Sequence, residues 1–254
     1  MGILNVTPDS FSDGGLHEDA SRAVRYGLSM IENGADLVDV GGESSRPGAL
    51  PVDEATELAR VVPVVAALAP HVRVSIDTAK PAVARAALAA GATIVNDITA
   101  SLHQVAADGG AGWVAMHMQG APSSMQRAPH YTDVVAEVEA FLARAADAAE
   151  AAGIAEMWLD PGIGFGKTPA HNWALLAALP RLVAGGRPVA VGASRKAFLG
   201  HAGARADGAT EPTPVGDRLE GSVATAVHAA RSGVGLIRVH DVAATVRALD
   251  ALAA

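Results

Sequence analysis

The stretch Met157-Trp158-Leu159-Asp160-Pro161-Gly162-Ile163-Gly164-Phe165-Gly166-Lys167-Thr168 places a carboxylate at the end of a short apolar run and follows it with a glycine-rich turn. A run of that kind reads as a buried strand whose carboxyl end opens a site, which is where α/β folds place their chemistry. Two nucleotide motifs come close and fail. G-x-x-x-x-G-K-[ST] needs glycine at 161 and meets Pro161, and G-x-G-x-x-G begun at Gly162 needs glycine at 167 and meets Lys167. What remains is an ionisable Asp160 beside a backbone so poor in Cβ atoms that it can lie flat against a ligand. One such aspartate can equally be a turn cap. The same arrangement, however, recurs along the chain.

Working outward, short β-branched or apolar runs fall at 1–6, 36–40, 72–76, 93–95, 113–116, 157–159, 188–191 and 235–239, at a spacing of roughly 30 residues that suits βα units. Between them the pattern takes a helical period over about 18–33, 53–69, 80–90, 101–109, 132–152, 171–184, 216–232 and 241–253, the fourth being the weakest. Gly34, Gly91, Gly153 and Gly185 each stand just past such a stretch, as helix stops do. Eight strands, each followed by a helix, predict a single-domain (β/α)8 TIM barrel spanning 1–254. A doubly wound open sheet, with its five or six strands, would leave two units without a place. Two segments break the rhythm and read as loops, 120–130 after the fifth strand and 201–214 before the helix near Gly216.

Composition agrees with that architecture and excludes several function classes. Of the 254 residues 50% are hydrophobic and only 4% aromatic, so the core must be built from Ala, Val, Leu and Ile. A formal net charge of −8 argues against nucleic acid as a partner, and any anion site must be local. The chain has no cysteine, which removes disulfides, thiolate catalysis and cysteine-held metals. It has no apolar run of about 18 residues and no basic-then-apolar leader, so a soluble cytoplasmic protein without membrane contact is expected.

Barrel active sites lie at the carboxyl ends of the strands. In this chain those ends carry Asn5, then Glu43-Ser44-Ser45-Arg46, Asp77-Thr78, Asn96-Asp97, His117, Asp160, Ser194-Arg195-Lys196 and His240-Asp241. Asp77, Asn96 and Asp160 suit a flat nitrogen heterocycle, because a carboxylate accepts from adjacent ring N–H groups while an amide both donates and accepts. Lys196 can answer a ring carbonyl. Arg46, Arg195, Arg238 and His240 suggest an anion subsite, since the arginine fork donates paired hydrogen bonds to phosphate-like oxygens.

These motifs resemble one family from end to end. Asn5-Val6-Thr7-Pro8-Asp9-Ser10-Phe11-Ser12-Asp13-Gly14-Gly15, Gly41-Gly42-Glu43-Ser44-Ser45-Arg46-Pro47-Gly48, Ser75-Ile76-Asp77-Thr78, Asn96-Asp97, the Asp160–Lys167 stretch, Ser194-Arg195-Lys196 and Arg238-Val239-His240-Asp241 are similar, in order and spacing, to the signature set of the dihydropteroate synthases. The resemblance implies a barrel that joins 6-hydroxymethyl-7,8-dihydropterin diphosphate to p-aminobenzoate with Mg²⁺ present, that sulfonamides inhibit, and that works as a homodimer. It implies pterin contacts from Asp77, Asn96, Asp160 and Lys196, with Asp77, Asp160 and Lys196 as the catalytic groups. It assigns Asn5 to the metal, and Asn5, Ser45, Arg238 and His240 to the diphosphate. The p-aminobenzoate side falls to Phe11, Ser45, Arg46, Pro47, Phe165 and Lys196. Ser45 stands where many relatives have threonine, and Ala197 where several have serine. Rival readings are a pterin-dependent methyltransferase domain, which has no use for the arginine-rich subsite, and a non-catalytic pterin-binding paralogue.

Overall fold

In a strand buried on both faces, successive side chains serve two different interiors, and the strands of this chain divide their residues that way. The computed structural model describes residues 1–7, 16–46 and 48–253, with 16–18 and 253 as backbone only. Among these residues the strands are β1 (Gly2–Asn5), β2 (Leu37–Gly41), β3 (Arg73–Asp77), β4 (Ile94–Asp97), β5 (Gly112–Met116), β6 (Met157–Asp160), β7 (Ala190–Val191) and β8 (Leu236–Ile237). β1 to β6 pair in sequence order, all parallel, as do β7 and β8. Parallel bridges Leu159↔Val189 and Gly2↔Val239 join the two sheets, so the strands close into a ring. The expected (β/α)8 barrel is the fold.

Val38, Val40, Val74, Ile76, Val95, Trp113 and Ala115 face outward and pack with helix residues such as Val61, Val64 and Leu68 in the main core. The alternate set, Leu37, Ile94, Val114, Ala190 and Leu236 with Met1 and Trp158, forms a smaller apolar plug inside the barrel. Above that plug the inward positions turn polar: Asp39 and Gly41 follow Leu37, Asn96 follows Ile94, and Asp160 follows Trp158. The plug is therefore the floor of a polar chamber.

The helices are α1 (Leu16–Glu32), α2 (Glu54–Leu68), α3 (Pro81–Ala89), α4 (His103–Asp108), α5 (Val134–Ala151), α6 (Pro169–Ala177), α7 (Leu179–Ala184), α8 (Ala197–Ala206), α9 (Leu219–Arg231) and α10 (Val242–Ala253). Two differ from the reading of the sequence. The stretch expected as one helix over 171–184 is split at Ala178, because Pro180 lacks an N–H and its ring clashes with a continuing helix. The stretch 201–214, expected as a loop, is helical through Ala206. Phe198, Leu199 and Ala204 bury its apolar face, and Gly200 and Gly203 had disguised the period.

Candidate active site

β3 and β4 set Asp77 opposite Asn96, and β5 and β6 set Met116 opposite Asp160, so the pterin candidates share one level of the chamber. Asn5, at the end of β1, lies there too, since a Cβ on Gly41 would stand 3.7 Å from Asp77 Oδ2 and 3.8 Å from Asn5 Oδ1. The strand register, rather than loop geometry, brings these four together.

Arg238 reaches across from the far end of the sequence. Its Nε donates to Asp39 Oδ2 at 2.6 Å and its Nη2 to Asp77 Oδ2 at 2.7 Å, while Asn96 Nδ2 donates to the same Asp39 oxygen at 2.9 Å. Burial works against the guanidinium charge, but Asp39 and Asp77 more than offset it and hold the Arg238 pKa above its ordinary value. Arg238, read from sequence as an anion ligand, is thus tied into the carboxylate side of the chamber. Burial pushes Asp77 up to about 7 against the pull of Arg238. Burial likewise raises Asp160, opposed by Lys196 and by the Gly162 N–H, which donates to Asp160 Oδ1 at 2.7 Å. Lys196 is pushed down to about 8 by burial, although Asp160 pulls the other way. Its ammonium donates to the Ile163 carbonyl and stands 4.4 Å from the centre of the Phe165 ring.

The anion candidates are less uniform than the sequence suggested. His240 accepts from or donates to Ser194 Oγ at 3.0 Å, and burial together with Arg238 lowers its pKa to about 3, so it is a neutral imidazole and not a cation at neutral pH. Arg195 takes a positive φ of 59° and pairs with Asp241 through Nε at 2.9 Å. That strained backbone is held by Ser222 Oγ, which accepts from Arg195 N at 2.9 Å, and by Arg218, which donates to the Arg195 carbonyl at 2.9 Å. Arg46 is exposed and Ser45 half-buried beside it, while Phe11 and Pro47 lie outside the described residues.

Two supports were not legible as such. Lys167, which closes the glycine-rich signature stretch without a role of its own in the sequence reading, is 2% exposed, and its ammonium meets His117 Nδ1 at 2.9 Å and the Phe165 carbonyl at 3.0 Å. Burial and the nearby Lys196 push the Lys167 pKa down, and burial and Lys167 lower that of His117 to about 3, leaving the imidazole nitrogen free to accept. The glycine loop is stapled from beneath. Gly162 and Gly166 have φ of 67° and 60°, and a Cβ on either would sit 1.8 Å from the His117 carbonyl oxygen or 2.2 Å from that of Gln119. The second support is Lys80, which pairs with Glu43 at the root of the β2–α2 loop and with Glu57, a fully buried acid that also accepts from Thr78 Oγ1 at 2.7 Å.

No three His, Asp or Glu side chains converge as a metal cage among the described residues. Mg²⁺ needs none when substrate phosphates and water fill most of its shell. The hard carboxamide oxygen of Asn5 at the chamber mouth fits such an ion as a single protein ligand.

The sequence matches the pterin binding enzyme family over residues 1–240. It is 50% identical to the dihydropteroate synthase of Mycobacterium leprae, covering 100% of this chain and 92% of that one. The crystal structure of Yersinia pestis dihydropteroate synthase with a sulfonamide drug superposes with a TM-score of 0.90 at 46% identity, covering 100% of this chain and 92% of that chain. The Xanthomonas albilineans dihydropteroate synthase in complex with 7,8-dihydropteroate gives a TM-score of 0.87 at 46% identity, covering 100% and 91%. Buried acids, an amide and a lysine ringed around one barrel mouth, in a chain this close to those enzymes, leave one assignment: it belongs to the dihydropteroate synthases of the pterin-binding enzyme family.

Proposed function

We propose that the chain condenses 6-hydroxymethyl-7,8-dihydropterin diphosphate with p-aminobenzoate, giving 7,8-dihydropteroate and pyrophosphate in folate biosynthesis. The observation that carries this reading is the meeting of Asp77, Asn96 and Asp160 at the chamber level fixed by the strand register, with Lys196, from the segment after β7, near enough to feel the charge of Asp160. A pterin edge rich in N–H groups finds acceptors in the two carboxylates and the amide, and its carbonyl finds a donor in Lys196. Phe165, half-exposed with its ring centre 4.4 Å from the Lys196 ammonium, together with Ser45 and Arg46 would border the flat aminobenzoate.

The reaction requires no nucleophilic side chain. The methylene carbon loses its bond to the diphosphate oxygen, whose electron pair leaves with pyrophosphate, and the aminobenzoate nitrogen donates its lone pair to that carbon and sheds a proton to solvent. Asp77 and Asp160 stabilise the positive charge that builds on the pterin as the bond breaks. Arg238, beside them, and Arg46 at the rim balance the charge of the departing diphosphate, while neutral His240 supplies a hydrogen bond. Asn5 would hold Mg²⁺ against the diphosphate, where the ion neutralises leaving-group charge.

Incubating the protein with both substrates and Mg²⁺ and weighing the products by mass spectrometry tests the reading. A 7,8-dihydropteroate mass is expected; pterin bound but never coupled would mean a binding paralogue instead. Sulfonamides, which occupy the Yersinia enzyme in its crystal structure, should compete with p-aminobenzoate. We further place the enzyme in the cytoplasm, and among the described residues no helix is long and apolar enough to cross a membrane. As a homodimer it would cover the face of α6, α8 and α9, where Trp173 and Leu219 are 43% and 40% exposed beside a cavity of about 700 Å³. Sedimentation analysis would show twice the chain mass.

A further inference from the structure

Mid-strand in β2, Leu37-Val38-Asp39-Val40-Gly41 buries a carboxylate that neither the strand-end pattern nor the condensation step calls for. Asp39 is 0% exposed, and an ionised acid so placed costs several kcal/mol unless it is paired. The pairing is lopsided. Both donors, Arg238 Nε at 2.6 Å and Asn96 Nδ2 at 2.9 Å, converge on Oδ2, while Oδ1 is buried without a partner among the described residues. Two N–H donors, one from a guanidinium, converge on this carboxylate, and a carboxylate so engaged stands as an acceptor.

An acceptor-only neighbour decides how an amide stands. Asn96 must turn its NH₂ toward Asp39, and its oxygen therefore faces the other way. That oxygen takes no hydrogen bond among the described residues and is not sealed from the chamber. With any neighbour able to donate, the amide could flip and offer the ligand a donor instead.

We propose that Asp39 is a positioning residue that sets the hydrogen-bonding polarity of the chamber, locking Asn96 so that it presents an oxygen acceptor, and thereby selects a heterocycle with an N–H at that edge over one with a bare ring nitrogen. The inference rests on the pterin reading of the chamber. Asp77, Asp160 and Asn96 then form an all-acceptor arc, and Lys196 is the donor that opposes it.

Protein labelled with ¹⁵N-asparagine tests this in its native form, the Asn96 side-chain amide being assigned by its loss in Asn96→Ser. The Asn96 NH₂ protons should exchange slowly in the free protein and keep their shifts when 6-hydroxymethylpterin, which carries no phosphate, is added. Fast exchange in the free state, or nuclear Overhauser contacts from those protons to the bound pterin, would overturn the proposal. In Asp39→Asn, where the neighbour can donate as well as accept, KM for the pterin diphosphate should rise about tenfold while kcat stays within about twofold. A fall in kcat at constant KM would make Asp39 part of the chemistry and sink its positioning role. If Asp39→Asn does not fold, the wild-type spectra decide alone. A wild-type protein that binds no pterin would refute the functional reading, yet its free-state spectrum would still report how Asn96 stands.

Discussion

In the proposed reading single residues carry the ligand contacts, and their charge states set the first two predictions. Asp77→Asn and Asp160→Asn each remove a charge-assisted hydrogen bond to the pterin, worth roughly 1.5–3 kcal/mol, so calorimetry should show tenfold to hundredfold weaker pterin binding by folded protein. Unchanged affinity in both variants would put the ring elsewhere. The pH dependence follows from the same groups. Asp77, pushed up to about 7 by burial, accepts only as the carboxylate, so kcat/KM for the pterin diphosphate should fall as pH drops below about 7. Lys196, pushed down to about 8, donates only as the ammonium, so the rate should fall again above about 8. Lys196→Met should flatten the alkaline limb of this narrow bell; a profile level through both values would show that neither group titrates in the free enzyme.

At the scale of elements, the βα loops are held from outside the substrate site. Gly162 and Gly153 share a left-handed φ, but a Cβ at 162 would lie 1.8 Å from the His117 carbonyl oxygen and one at 153 would meet nothing within 4 Å. Gly153→Ala should therefore cost about 1–2 kcal/mol, the penalty of the backbone conformation alone, and Gly162→Ala about 4 kcal/mol or more because the backbone itself must move. Urea denaturation of the pair measures the difference, and similar losses would mean that the β5 and β6 ends are not clamped together. The β2–α2 loop hangs on Lys80. Lys80→Met would leave the buried Glu57 carboxylate with Thr78 alone and should cost about 1–3 kcal/mol, the lysine being partly exposed, whereas Glu57→Gln keeps one oxygen for Lys80, turns its NH₂ to the Thr78 hydroxyl, which can accept, and should cost less. The reverse order would show that the acid, not its pairing, stabilises the loop.

Across the whole molecule, the aminobenzoate side proposed above would be assembled from segments that follow three different strands. Ser45 and Arg46 follow β2, Phe165 follows β6, and Phe11 follows β1 in sequence. Drawing them together around one small ligand costs ordering free energy that an anion at the arginine-rich rim can offset. Equilibrium titration of p-aminobenzoate should therefore show at least about tenfold tighter binding once Mg²⁺, pyrophosphate and a pterin are present. Equal affinity in both conditions would rule out ordered assembly.

The short apolar runs ending in Asp77, Asn96 and Asp160 already determined the barrel and the level of its site, because parallel strands of similar length must bring their carboxyl ends to one rim. Ring closure decided the rest. Arg238 and Asp39 lie 199 positions apart, and only the bridge between β1 and the segment after β8 brings that guanidinium over the second strand, where it pairs with two acids that no local pattern links to it. Asp39 itself was hidden between two valines, for its inward direction depends on a register that no local pattern states. His240 is neutral for a similar reason, since its charge is set by burial and by Arg238 and Arg195, neighbours that the closed barrel supplies.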